Sequence, residues 1–170
     1  LDRRRSNNER EIAAIIDAVP RHPGIERVIA GNETQLRGGL EPGDTYIFND
    51  PYDGGTHLND FRLVRPLMRG GKVFVWLASV GHWLDVGGNV PGNFNAKATE
   101  SFQEGFRIPP VKLVRSGALQ QDIIDILGAN SRVPQSNWGD LNGQLNALDL
   151  GERRMHTLLD EYGEDTIAAA

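Results

Sequence analysis

The stretch FRLVRPLMRGGKVFVWLASV, residues 61–80, decides the fold class. Phe61 to Leu67 alternates weakly between apolar and polar residues, Val73 to Val80 is a near-continuous apolar run, and Arg69-Gly70-Gly71 lies between them. Short apolar runs rich in valine and aromatic residues and bounded by glycine read as strands, and two of them around a glycine turn read as an antiparallel hairpin. Upstream, Glu41-Pro42-Gly43-Asp44 makes a turn before a short strand, Thr45-Tyr46-Ile47-Phe48. Downstream, Ile108-Pro109-Pro110-Val111-Lys112-Leu113-Val114 is a further strand, which its prolines, lacking N–H donors, place at a sheet edge.

The period then changes to that of a helix. Leu119 to Leu127 forms a short helix capped by Gly128, and a long one runs from about Pro134 to Tyr162. In the long helix Trp138, Leu141, Leu145, Leu148, Met155, Leu159 and Tyr162 keep a 3,4 alternation, and Glu152 occupies the slot that breaks it. Gly143 and Gly151 cost that helix about 1 kcal/mol each relative to alanine. The seam must therefore pack on something, either the core of the same polypeptide or a surface supplied from outside it. Near the N-terminus, Asn7 or Asn8 caps a helix through Val19, with Ile12, Ile15, Ile16 and Val19 on one face. The expected architecture is α+β: an N-terminal helix and linker (1–40), a loop-rich β centre (41–116) and a helical C-terminal third (117–165). The chain opens on Leu1 and reads as a piece of a larger polypeptide.

Composition removes several function classes. With 18 Lys+Arg against 23 Asp+Glu, the net charge is −5, so no basic field exists to neutralise phosphates and nucleic acid is not an expected partner. The Val73 to Val80 run is far shorter than the roughly 18 apolar residues that cross a bilayer, so no membrane association is expected. Without cysteine there is no disulfide framework and no thiolate chemistry; His, Asp and Glu are left as the strong metal ligands, and a cytoplasmic location fits. No G-x-x-x-x-G-K-[ST] phosphate loop, G-x-G-x-x-G turn or G-x-S-x-G elbow occurs.

The same local arrangement occurs twice, in His57-Leu58-Asn59-Asp60 and His82-Trp83-Leu84-Asp85. Residues i and i+3 of a strand point to opposite faces, so each H-x-x-D pair converges only on curved backbone, which Gly54-Gly55 and Gly87-Gly88 can supply. Two imidazoles and a carboxylate suit a first-row divalent ion and leave positions open for water or substrate. His57, Asp60 and His82 form one such set. Asp85 is then the carboxylate that orients an imidazole from its free nitrogen, a place Asp50 or Asp53 can also take. From spacing alone the residues read equally as surface histidines beside Asx turns.

Several longer blocks stand in a fixed order: Pro42-Gly43-Asp44, Asn49 to Asp60, His82 to Gly88, Pro91-Gly92, Phe102 to Val111, Ser131-Arg132-Val133-Pro134, Asp140-Leu141 and Gly151-Glu152-Arg153-Arg154. Together they resemble the hydantoinase B/oxoprolinase family over residues 40–165. The resemblance implies a divalent ion (Zn, Mn or Fe) on His57, Asp60 and His82. It further implies a hetero-oligomer with a hydantoinase A-like subunit that binds ATP with Mg. It implies a small-molecule substrate: the ATP-dependent opening of a cyclic amide such as a hydantoin, 5-oxoproline or a lactam, or alternatively the carboxylation of a ketone such as acetone or acetophenone. Glu104, in a matched block, becomes a candidate acid or base, with a salt bridge to Arg107 or Lys112 as the other reading; Asp85 is the second catalytic candidate. Where many members have His-His-x-Asp, this chain has Trp83, an aromatic expected to reshape the pocket. Outside the resemblance, two His and one carboxylate also make the facial triad of a non-haem Fe(II) oxygenase, and the helical seam alone would suit a scaffold.

Overall fold

A computed structural model describes residues 39–53 and 57–169. The helix expected to end at Val19 and most of the linker after it lie outside the described residues. The described residues form a five-stranded antiparallel sheet with helices following it in the chain: β1 (Thr45–Phe48), β2 (Asp60–Arg69), β3 (Lys72–His82), β4 (Val111–Arg115), β5 (Ala118–Leu119), α1 (Gln121–Ala129), α2 (Pro134–Tyr162) and α3 (Glu164–Ala168). The strand order is β3-β2-β1-β4-β5.

The hairpin of residues 61–80 is present and longer than its apolar pattern. Arg69 pairs with Lys72, so Gly70 and Gly71 make a two-residue loop with φ of 56° and 78°, a region glycine enters without a Cβ penalty. At the other end the ladder continues to Asp60 opposite His82. Hydrophobicity stops before these polar residues, but the backbone pairing does not. Val111–Arg115 is not an edge strand, because β5 pairs with Val114 and Arg115 on its outer side. Pro109 and Pro110 precede the strand, so no ladder bond is lost to them.

Strand alternation divides the core. Ile47, Leu63, Leu77 and Leu113 pack with Leu127, Leu141 and Leu148 of the helices, while Tyr46, Phe48, Val64 and Trp76 cluster separately. The long helix has the predicted bounds, and its seam packs on β3 and β2 of the same polypeptide. An outside surface is thus not required to cover it. Leu141, Leu148, Met155 and Leu159 are buried, and at roughly 1.5–3 kcal/mol each they offset the two glycines. The buried stripe is turned slightly from the apolar one: Asn137 and Gln144 are buried, whereas Trp138 is 42% exposed. Gln144 donates to the Phe61 carbonyl at 2.9 Å and accepts the Trp83 indole N–H at 3.0 Å. A Cβ on Gly81 would lie 2.7 Å from the Gln144 amide carbon, so glycine is what lets this side chain reach across the sheet. Glu152, the slot that breaks the seam, pairs with Arg65 at 2.9 Å, as Asp149 does at 2.6 Å. Among the described residues no helix is long and apolar enough to cross a membrane.

Candidate functional site

The two H-x-x-D segments meet where β2 begins and β3 ends. Asp60 pairs opposite His82 in the ladder, and Asp60 Oδ1 lies 2.7 Å from His82 Nδ1. Convergence therefore occurs across the strands, one member from each segment, rather than inside either segment. His57 sits on the turn entering β2, where the Asp60 N–H donates to the His57 carbonyl at 3.0 Å. Its ring is 6.3 Å from that of His82, centroid to centroid, and nearly perpendicular at 84°. Buried neighbours hold this end in place: the Asn59 amide donates to the Trp83 carbonyl at 2.7 Å, and the Trp83 N–H donates to the Asn59 carbonyl at 2.8 Å. Trp83 itself stacks on Phe61, with centroids 3.9 Å apart, and is buried beneath the site rather than shaping its open side.

Two imidazoles bound to one ion at about 2.1 Å place their ring centres roughly 5–6 Å apart, close to the separation found here. The donor types and their spacing suit a borderline divalent ion. In the arrangement described, His82 is turned to Asp60 rather than to a common centre with His57. Among the described residues no group of three or more His, Asp or Glu side chains is gathered tightly enough to hold a metal. Gly54, Gly55 and Thr56, which lead into His57, lie outside the described residues.

Asp85 faces elsewhere. Its carboxylate accepts the backbone N–H of Gly87 at 3.0 Å, of Gly92 at 3.0 Å and of Arg132 at 3.2 Å, together with the Arg132 guanidinium at 2.9 Å. Burial works to raise its pKa, but these hydrogen bonds outweigh burial and bring it down to about 2. The carboxylate that touches an imidazole is Asp60; Asp85 is the hub of the loop after β3. Arg132 also donates to the carbonyls of Gly87 at 3.0 Å and Gly88 at 2.7 Å. The Asn93 amide, at φ 61°, donates to the Gly87 and Glu104 carbonyls and accepts the Val86 N–H. On Gly88 a Cβ would lie 2.7 Å from the Gln103 carbonyl oxygen, so the loop and the 101–106 segment are in backbone contact.

Glu104 is exposed at the end of the Ser101–Gln103 turn. Neither expected salt bridge forms: Arg107 faces Asp50 at 3.5 Å and Lys112 pairs with Asp44 at 2.6 Å. Residues that organise this site besides the histidines and carboxylates are Asn49, Asn59, Asn93, Arg132, Asn137 and Gln144. Asn49, Asn59 and Arg132 fall within the quoted blocks, whereas Asn93, Asn137 and Gln144 do not. Those last three gave no signal, because isolated Asn and Gln are common in loops and on helix surfaces.

Comparison with known proteins adds to this geometry. The chain matches the family model described as hydantoinase B/oxoprolinase over residues 7–170. It is 41% identical over 130 residues to the caprolactamase subunit beta of Pseudomonas jessenii, covering 76% of this chain and 22% of that protein. The crystal structure of the ATP-dependent caprolactamase from Pseudomonas jessenii superposes with a TM-score of 0.78 at 35% identity, covering 86% of this chain and 25% of that one. A nucleotide-free acetone carboxylase structure superposes with a TM-score of 0.79 at 19% identity over 92% of this chain and 21% of that one, a likeness of fold. The chain thus spans about a quarter or less of the length of these relatives.

Proposed function

The chain belongs to the hydantoinase B/oxoprolinase family, and from that premise we propose that it carries the divalent-metal part of a B-type subunit that opens a cyclic amide together with an ATP-binding A-type subunit. The observation that carries this reading is the match to the caprolactamase subunit beta, because it runs through the residues that bring Asp60, His82 and His57 to one end of the hairpin. In this reading His57 and His82 offer neutral imidazole nitrogens and Asp60 a carboxylate oxygen. A bound Zn, Mn or Fe ion would supply Lewis-acid polarisation of a carbonyl or an activated water.

The chain's own residues then do three things. Asp60 Oδ1, at 2.7 Å from His82 Nδ1, keeps these two groups side by side at the hairpin end, where an ion would take both as ligands in place of their mutual hydrogen bond. The Asp85–Arg132 pair anchors the loop that leaves His82, so the end of β3 stays in register with β2. Glu104, exposed beside that loop, is free to accept or deliver a proton at the departing amide nitrogen. ATP and its Mg belong to the A-type partner, in line with the absence of a phosphate loop from this sequence.

The test is to express the full-length protein with its A-type partner and to supply caprolactam and 5-oxoproline. Ring-opened amino acid should form only when both subunits and ATP are present, with ADP appearing alongside, and the B-type subunit alone should bind no ATP. Incorporation of labelled bicarbonate without ring opening would replace this reading by a carboxylase, and nucleotide binding by the lone subunit would contradict the division of labour.

A further inference from the structure

Asn49 ties the segment around Arg107 to the one that carries His57. Its buried amide nitrogen donates to the Leu58 carbonyl at 2.7 Å and to the Phe106 carbonyl at 2.8 Å, and its oxygen accepts the Ile108 N–H at 2.8 Å. Two carbonyl oxygens sharing one amide nitrogen at such distances lie about 5 Å apart. Leu58, Phe106 and Ile108 turn into one core cluster, while His57 and Arg107, their chain neighbours, are both exposed.

The Arg107 guanidinium is held in an unusual setting for a surface arginine. Its central carbon stands 5.9 Å from the Tyr52 ring centroid and 5.6 Å from that of Phe102, and both rings are about 70% exposed. Its Nε faces Asp50 Oδ2 at 3.5 Å, beyond ordinary hydrogen-bond length, and Asp50 is itself fixed by the Tyr52 N–H on Oδ1 at 2.9 Å. Aromatic rings and one carboxylate thus orient the group from its Nε side. Its terminal nitrogens, the fork that takes an oxyanion through two parallel hydrogen bonds, have no protein acceptor among the described residues.

We propose that Arg107 is the anion-binding residue of this site, holding a carboxylate or phosphoryl oxyanion of the substrate while the reacting carbonyl lies toward His57 and His82. The assignment rests on the proposed reading of the site for its substrate. It does not depend on that reading for the anion. A guanidinium already oriented by two rings loses little rotamer freedom when an oxyanion docks, which is where its advantage over a lysine at this position lies. The Asp50 charge on the opposite flank keeps affinity for a free anion low and leaves discrimination to the rest of the ligand.

The test uses the full-length protein, titrated by calorimetry with acetate and, separately, with inorganic phosphate. Wild type should bind at least one of them, and the stronger of the two identifies the source of the oxyanion. Arg107→Gln should weaken that binding tenfold or more, Arg107→Lys should recover only part of it, and Asp50→Asn, which keeps the turn and removes the competing charge, should strengthen it. Metal content measured on the same samples separates the two ideas. Anion binding lost in Arg107→Gln with metal content unchanged, or in a protein that holds no metal at all, supports Arg107, and the second case counts against the metal site alone. No binding by wild type, or equal binding by wild type and Arg107→Gln, overturns the assignment.

Discussion

Asp85→Ala is expected to lower the free energy of unfolding by roughly 3 kcal/mol. The side chain is 4% exposed and accepts the N–H groups of Gly87, Gly92 and Arg132 as well as the Arg132 guanidinium. An unmet buried donor costs about 1–3 kcal/mol, and part of this is recovered because Arg132, 42% exposed, can return to water. The same bonds set a pH dependence. Because the folded pKa lies at about 2, below the ordinary 3.8, Asp85 contributes stability that is complete above 3.8 and is lost as pH falls toward about 2. Urea melts at pH 7 and pH 3 should therefore show the wild type losing more between the two than Asp85→Asn does. An Asp85→Ala protein within 0.5 kcal/mol of wild type, on the order of a neutral surface change, would mean that the loop is held by something else.

Trp83→Ala should cost about 4 kcal/mol, the range for emptying a buried aromatic site. It removes the stack on Phe61 and leaves the Gln144 oxygen without the indole N–H it accepts at 3.0 Å. Trp83→His, the residue many family members have here, keeps a ring and a donor and should cost less. Denaturant midpoints at constant slope check both. Equal losses for the two variants would show that the imidazole recovers neither the stack on Phe61 nor the bond to Gln144.

The hairpin and the long helix were legible because each is an apolar period several turns or residues long. What escaped was decided by polar atoms. The strands run on to Asp60 and His82 through backbone pairing, which hydropathy does not register. The helix seats Gln144 and Asn137 inward, beside a half-buried Leu145, and leaves Trp138 more exposed, since the two amides donate to the carbonyls of Phe61 and Asp85. Spacing suggested that each His would meet the Asp three residues later; sheet register decided otherwise, pairing Asp60 with His82 and leaving Asp85 to Arg132. A periodic pattern predicts faces, whereas a site at a strand end depends on which loops approach from elsewhere in the chain.

The most direct measurement is the metal content of the full-length protein after dialysis against chelator-free buffer, read by plasma mass spectrometry for wild type, His57→Ala, His82→Ala and His156→Ala. His156 lies on α2, away from the hairpin end, and serves as the control. One Zn, Mn or Fe per chain is expected in wild type and in His156→Ala, with occupancy in His57→Ala and His82→Ala lower by roughly tenfold or more. Equal metal in His82→Ala and His156→Ala, or none in wild type, would contradict the assignment of the ion to this end of the hairpin.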